Sequence, residues 1–405
     1  MNNNRIQEFF RKGTGDRIIW TIVIFIAICS IFAVYSTGSK LNDYHKESLW
    51  FLLTEHVFYL AVGFLIMYIF QFIDYRWFKR LAKIGLIVGV FLLIATLAFG
   101  VVEGGSKRSI SILGREVQTI HFIELCTVVY LSSWIAKAKE NINDIKHKFI
   151  PMCLYIFLFC LFIMSQKTSA SLILGVTCVV LLFVSQLKIK YFFGTFGIIM
   201  IVGLLGLSVL LSDAVNPKTD NAFFRRIGTM KVRVESFLHS DNTHKDIITT
   251  EAAIASSSLL PRPGGNIHGN SVQESYSDYI FAFFVEEYGI FAGIFLVFLY
   301  LSLFYRVIIT ARTISTSFGA YLAIGIGFLI VFQAMTHICV CLGIFPATGE
   351  TLPLFSKGGI SILTTSFAVG IVLSISREAK EEIRKRKEES ILLKQQINSK
   401  GGKNE

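Results

Sequence analysis

The chain has 405 residues, of which 53% are hydrophobic and only 17% charged, and its mean hydropathy is +0.60. Soluble domains carry about a quarter charged residues, so this composition excludes a water-soluble globule and points to a polytopic membrane protein. The net charge of +11 sits in short loops and at both ends of the chain. That is a membrane-topology pattern, and no nucleic-acid partner is expected from it.

The seven cysteines all fall in apolar stretches. Cys339 and Cys341 form only a C-x-C, too close for the usual zinc pair, so small apolar packing residues are expected. Met1 to Gly15 is polar and basic, and the first apolar run starts near Arg17 without a small-residue cleavage site. A removable leader is therefore not expected.

Ten candidate spans follow, near 17–36, 49–73, 82–102, 117–136, 149–165, 169–187, 191–211, 278–305, 319–345 and 358–376. The expected fold class is thus an all-α polytopic membrane protein of about ten transmembrane helices. His121 and Glu124 interrupt the fourth span, and Gln166 to Ser169 mark a break between the fifth and sixth. Basic residues fall on alternate loops: Arg5, Arg11 and Lys12; Arg76, Lys79, Arg80 and Lys83; Lys137 to Lys148; Lys188 and Lys190; Arg306 and Arg312; then Arg377 to Lys387. The positive-inside rule makes that side cytoplasmic, with both termini on it. The organisation read from this is a cytoplasmic segment at 1–16, a transmembrane domain at 17–376, and a basic cytoplasmic tail at 377–405.

Two outer segments stand out. The 102–116 stretch carries Lys107, Arg108 and Arg115 against the charge rule, after Gly104-Gly105-Ser106, and reads as a flexible cationic loop. It suits either a phosphate-bearing ligand, which guanidinium binds bidentately, or lipid headgroups. The 212–277 segment is the one long extracytoplasmic loop, with enough apolar residues for short surface helices.

Acids within apolar segments are costly in a bilayer and point to function. Asp278 lies where the long loop enters the eighth span. It can act as a general base, hold a divalent cation such as Mg or Mn, or cap the helix. Glu286 and Glu287 lie about two turns further along and either relay protons or pair with Arg or Lys. Glu124 has three candidate partners, Lys167, Arg108 and His121, while His337 reads as a hydrogen-bonded packing residue. Gly343 to Gly349 and Leu352 to Gly359 place irregular backbone between two spans, tolerated at membrane depth only within protein or a wet cavity.

These motifs, in order, resemble the SEDS family, which includes FtsW, RodA and SpoVE, over about residues 17 to 377. The resemblance rests on Ile73-Asp74-Tyr75-Arg76-Trp77, Gly105-Ser106-Lys107-Arg108-Ser109-Ile110 and Ala253-Ile254-Ala255-Ser256. It continues through Gly269-Asn270-Ser271-Val272-Gln273, Ser277-Asp278-Tyr279-Ile280-Phe281-Ala282, Pro346-Ala347-Thr348-Gly349, Leu352-Pro353 and Ser356-Lys357-Gly358-Gly359. The GNSVQ and EEYG forms look most like division-type members from Bacteroidetes. The resemblance implies a peptidoglycan glycosyltransferase that polymerises lipid II and releases undecaprenyl diphosphate. It implies a class B penicillin-binding protein and other divisome proteins as partners. It maps the family's essential acid onto Asp278 and its conserved Arg onto Arg108, with Lys107, Glu124, Ser356 and Lys357 as substrate-binding candidates.

The chain departs from the family pattern at Thr127, where a Lys is usual, and at Gln166-Lys167-Thr168, where Q-P-D or Q-P-N is usual. Two other functions therefore stay open: a scaffold of the cell-wall machinery without activity, and a flippase for lipid-linked precursors.

Overall fold

In the computed structural model the described residues are 14–40, 49–103, 106–112, 115–138, 149–164, 166–185, 245–262 and 275–401, with single residues at 228, 231, 232, 234, 268 and 272. Three helices come first: α1 (Arg17–Lys40), α2 (Leu49–Phe70) and α3 (Arg76–Phe99). Strands β1 (Val101–Glu103), β2 (Ser106–Ile112) and β3 (Arg115–Gln118) follow, then α4 (Ile120–Ala138), α5 (Ile150–Met164) and α6 (Thr168–Val184). The rest is α7 (Lys245–Ala255), α8 (Ile280–Tyr288), α9 (Ile290–Thr313), α10 (Ser317–Cys341) and α11 (Gly359–Gly401).

Every predicted span has a helical counterpart except 191–211, which lies outside the described residues, as does most of the 212–277 loop. Five stretches among the described residues are long and apolar enough to cross a membrane: Arg17–Thr37, Trp50–Phe70, Ile290–Thr313, Ser317–Cys341 and Gly359–Leu392. Helices α5 and α6 are apolar but shorter, with 15 and 17 residues. The Gln166-Lys167 break separates them where the polar residues predicted it.

Burial shows which helices are central. The apolar window of α10 is 67% buried and that of α11 is 72% buried, against 28% for α2 and 33% for α9. Helix α10 touches α4, α6, α8, α9 and α11, and forms the middle of the bundle. Helices α2 and α9 turn large side chains outward, including Phe51, Phe58, Phe291 and Phe298. That is the expected behaviour of a lipid-facing surface. Small residues let α11 approach α2 closely: a Cβ on Gly63 would sit 2.5 Å from Ser366 Oγ, and one on Gly370 would sit 2.9 Å from Phe70 Cβ. Helix α11 continues unbroken through residue 376, where the sequence placed the start of the tail.

Two local expectations change. The eighth span, predicted as one helix over 278–305, is two helices broken at Gly289, whose φ is +86°. Only glycine adopts that conformation without strain. The space is also closed to a side chain, because a Cβ there would lie 2.7 Å from Leu259 O. The 258–262 segment lies alongside the break and supplies hydrogen bonds that the helices lose. Ile290 N donates to Ser258 O (3.0 Å) and Arg262 N to Glu287 O (3.2 Å).

The 102–116 stretch, predicted as a flexible loop, is instead an antiparallel sheet in the order β1-β2-β3. The alternation Ser109-Ile110-Ser111-Ile112 facing Val117 explains the pairing: Ile110 lies opposite Val117 and Ser109 opposite Gln118. Between β1 and β2 the register shifts: Val101 pairs with Ser109 and Val102 with Lys107, so Arg108 is skipped and forms a bulge.

Among the described residues the basic positions Arg76 to Lys83, Lys137, Arg306 and Arg377 to Lys380 gather at one end of the bundle, where polar bonds tie the helices together. Arg306 Nε donates to Asp16 Oδ2 (3.0 Å), Lys380 Nζ to Gly15 O (2.8 Å), and Arg377 to Phe72 O (3.1 Å).

Candidate functional site

Chain direction places the remaining polar residues together at the opposite end. Helices α1, α3, α5 and α10 finish there, and α2, α4, α6 and α11 begin there. Between α10 and α11 runs the irregular segment 342–358. Its turns need positive φ at Gly343 (+69°) and Gly349 (+66°), and Leu354 is held at +61°. A non-glycine residue at such an angle is strained and persists only where the surroundings fix it.

Those surroundings are specific. Ser30 Oγ donates to Phe355 O (2.7 Å) and contacts His56 Nε2 (2.6 Å). Tyr300 OH donates to Pro353 O (2.6 Å), Gln333 Nε2 to Thr351 O (3.1 Å), and His337 Nδ1 lies 2.7 Å from Glu350 O. His337 is thus the buried, hydrogen-bonded packing residue that was expected.

Asp278 lies in the turn at 275–279, half-buried, one residue before the N-cap of α8. The capping role is absent: Tyr279 is the N-cap and no side chain caps the helix. Ser277 Oγ instead donates to Asp278 Oδ1 (3.1 Å). The turn is joined to the 352–358 loop. Ser356 Oγ donates to Ser277 O (2.7 Å) and accepts from Leu352 N (2.8 Å), while Lys357 N donates to Tyr276 O (3.0 Å). Lys357 Nζ sits 3.3 Å from Glu55 Oε2 and 5.3 Å from the centre of the Tyr276 ring.

Three predicted site residues, Asp278, Ser356 and Lys357, therefore share one small region. Ser356 is 1% exposed and its proton is committed to Ser277 O, so it clasps the two loops. Lys357 is the cation beside Asp278's turn. Lys107 and Arg108 lie on β2 at the same end of the bundle; their side chains are outside the described atoms.

Glu124 lies apart, in a buried polar cluster beneath the surface. It is 4% exposed, and of its three candidate partners it takes His121, whose Nδ1 is 3.1 Å from Oε2. Lys167 pairs with Glu350 instead: Nζ to Oε2 is 3.0 Å, with side chains 4% and 1% exposed. Ser169 Oγ reaches the same carboxylate at Oε1 (2.7 Å) and Thr348 O (3.1 Å). The cluster reaches α10 through His337, whose Nδ1 lies 2.7 Å from Glu350 O. One partner of Glu286 is a histidine of the long loop: its Oε1 lies 2.7 Å from Nδ1 of His268.

Sequence reasoning missed Glu350, Glu55, His56 and His268. Glu350 carried a usable signal, as a lone acid between Gly349 and Thr351-Leu352-Pro353. Among the described residues, no group of three His, Cys, Asp or Glu side chains converges as a metal site. Asp278 alone does not make a dedicated cation cage.

The chain matches the family described as cell cycle protein, FtsW/RodA/SpoVE, over residues 16–381. It is 27% identical to stage V sporulation protein E of Bacillus subtilis over 380 residues, covering 91% of this chain and 98% of that protein. It is 26% identical to the probable peptidoglycan glycosyltransferase FtsW of Coxiella burnetii, covering 89% and 98%. Among solved structures, it superposes on a chain from a study of polymerization and crosslinking by a peptidoglycan synthase complex. The TM-score is 0.68 at 23% identity, covering 90% of this chain and 98% of that one. It also superposes on the rod shape determining protein RodA of Thermus thermophilus, with a TM-score of 0.62 at 21% identity and coverage of 90% and 97%. A multi-pass helical bundle with the RodA-like fold, matched to the family model from end to end of its spans, makes this chain a member of the FtsW/RodA/SpoVE family.

Proposed function

We propose that the chain is a peptidoglycan glycosyltransferase that polymerises lipid II, acting in cell division beside a class B penicillin-binding protein. The observation that carries this is the joint at Asp278. A carboxylate sits in a half-buried turn whose main-chain carbonyls accept from Ser356 Oγ and Lys357 N, at the end of the bundle away from the basic residues. The positive-inside rule puts that end outside the cytoplasm and both termini inside, where lipid II would present its sugars to the outer surface.

The reaction joins an acceptor sugar hydroxyl to the anomeric carbon of a second disaccharide and breaks the bond to undecaprenyl diphosphate. It needs a base for the hydroxyl proton and positive charge for the departing diphosphate. In this reading Asp278 takes the proton. Lys357, with Arg108 and Lys107 from β2, offsets the charge on the diphosphate. The bulge at Arg108 supports that role, since bulges redirect side chains near sites. Among the described residues no group of three acidic, His or Cys side chains gathers at Asp278 to hold a divalent ion, and no step here depends on one.

The test is polymerisation of labelled lipid II by the purified complex with its transpeptidase partner, wild type against Asp278→Ala. Glycan strands from wild type and at least ~100-fold fewer from the variant are expected, the usual scale for losing a positioned base. Full activity in Asp278→Ala would remove the assignment. An intact complex with no strands from wild type would favour the scaffold reading, which the buried Lys167–Glu350 and His121–Glu124 pairs also suit.

A further inference from the structure

The basic end of the bundle holds a cavity of about 650 Å³ that the catalytic reading does not use. Five cations line it. Arg76, Lys79, Arg80 and Lys83 come from the first turns of α3, and Lys137 from the last turn of α4. The remaining wall is Tyr75, Thr316 and Phe318, with the Tyr75 and Thr316 hydroxyls 2.6 Å apart. Arg76 has acidic neighbours, Asp74 (3.8 Å) and Glu378 (3.7 Å). Lys79, Arg80, Lys83 and Lys137 have none among the described residues; Lys79 and Arg80 lie over the rings of Phe318 and Trp77 (5.7 and 5.0 Å).

Topology accounts for positive charge in these loops, but not for its convergence on one cavity from two separate helices. Nor does it account for the placement on α3. A helix N-terminus carries partial positive charge and free N–H groups, and favours acids nearby. The first turn of α3 has no acid. Cations there repel the helix end; its first N–H groups are already taken, Arg76 N by Asp74 Oδ1 (2.9 Å) and Trp77 N by Asp74 O (3.0 Å), so a bound anion would answer the side chains.

We propose that this cavity binds the phosphate-bearing headgroup of an anionic phospholipid, with diphosphatidylglycerol the best match to five cations. Its volume is in the range of about 300–1,000 Å³ typical of ligand sites. Basic pockets between transmembrane helices on the cytoplasmic side hold such headgroups. An exit for the acyl chains is present, because Trp77, Leu81 and Ile84 are 55%, 51% and 60% exposed on α3 beside the cations. An exposed Trp is the side chain expected at headgroup level.

The test is native mass spectrometry of the full-length protein in detergent, titrated with diphosphatidylglycerol or phosphatidylcholine. The cavity variant carries Lys79→Gln, Arg80→Gln, Lys83→Gln and Lys137→Gln. A control removes charge elsewhere, with Lys385→Gln, Arg386→Gln and Lys387→Gln on the exposed part of α11. Wild type and control should retain diphosphatidylglycerol over phosphatidylcholine, and the cavity variant should retain at least about tenfold less. Should that variant fail to fold, Lys83→Gln and Lys137→Gln singly, on different helices, should each lower retention. Equal loss in cavity and control variants, or no loss in either, would overturn the proposal. Inorganic diphosphate added at the same concentration should not displace the lipid; displacement would reassign the cavity to a free phosphate.

Discussion

Lys167→Met removes the cation from an ion pair whose side chains are 4% and 1% exposed. Breaking a buried pair from one side strands the other charge, at a cost of about 3–5 kcal/mol. Glu350 would keep its bond from Ser169 (2.7 Å), which offsets part of that cost. The expected loss is therefore about 3–5 kcal/mol, at least a hundredfold in the folded-to-unfolded ratio. Replacing both partners, as Lys167→Met with Glu350→Leu, leaves no stranded charge and should recover all but about 1–2 kcal/mol, because an apolar pair of similar volume is nearly neutral. Equilibrium unfolding in mixed micelles with increasing dodecyl sulfate gives all four corners of the cycle. Were Lys167→Met within about 0.5 kcal/mol of wild type, or the double variant as unstable as the sum of the singles, the pair would not be coupled as described.

Three further outcomes follow from the same contacts. Gly289→Ala should destabilise the protein by about 2 kcal/mol or more in the same assay, since it forces a left-handed backbone angle and places Cβ 2.7 Å from a main-chain carbonyl. Gly343→Ala should cost less, about 1–2 kcal/mol, because the atom it meets is the far end of the flexible Glu251 side chain. Ser356→Ala strands Leu352 N and Ser277 O at a cost of about 1–3 kcal/mol. It should lower lipid II polymerisation more than it lowers stability at the assay temperature, and Ser356→Thr should restore part of the rate.

The spans were legible because an apolar run of about 20 residues matches the thickness of a bilayer core, and soluble folds seldom need one. The break at Gln166-Lys167 was legible for the same reason, in reverse. The break at Gly289 was not, because Phe281 to Val285 and Ile290 to Phe298 read as one apolar run. The sign of it was Glu286-Glu287-Tyr288-Gly289, acids and then a glycine, which suits a helix end. The small sheet was hidden by Gly104, Gly105 and Gly114, although Ser109 to Ile112 alternates with a strand's period of two. At the site, single residues such as Asp278 could be named from sequence, but their partners could not. Lys167 stood as a partner for Glu124 and belongs to Glu350, 183 positions away, because the irregular segment after α10 folds back over the α5–α6 break.

The joint between the 275–279 turn and the 352–358 loop has a consequence for how such a chain can vary. One of its bonds runs between main-chain atoms, Lys357 N to Tyr276 O, and the other needs only the hydroxyl of Ser356 against a main-chain carbonyl. Side chains at Tyr276 and Ser277 can be exchanged without breaking either bond. The position of Asp278 is thereby insulated from drift in the residues around it. Such insulation lets the residues around one carboxylate vary while its place in the turn is kept.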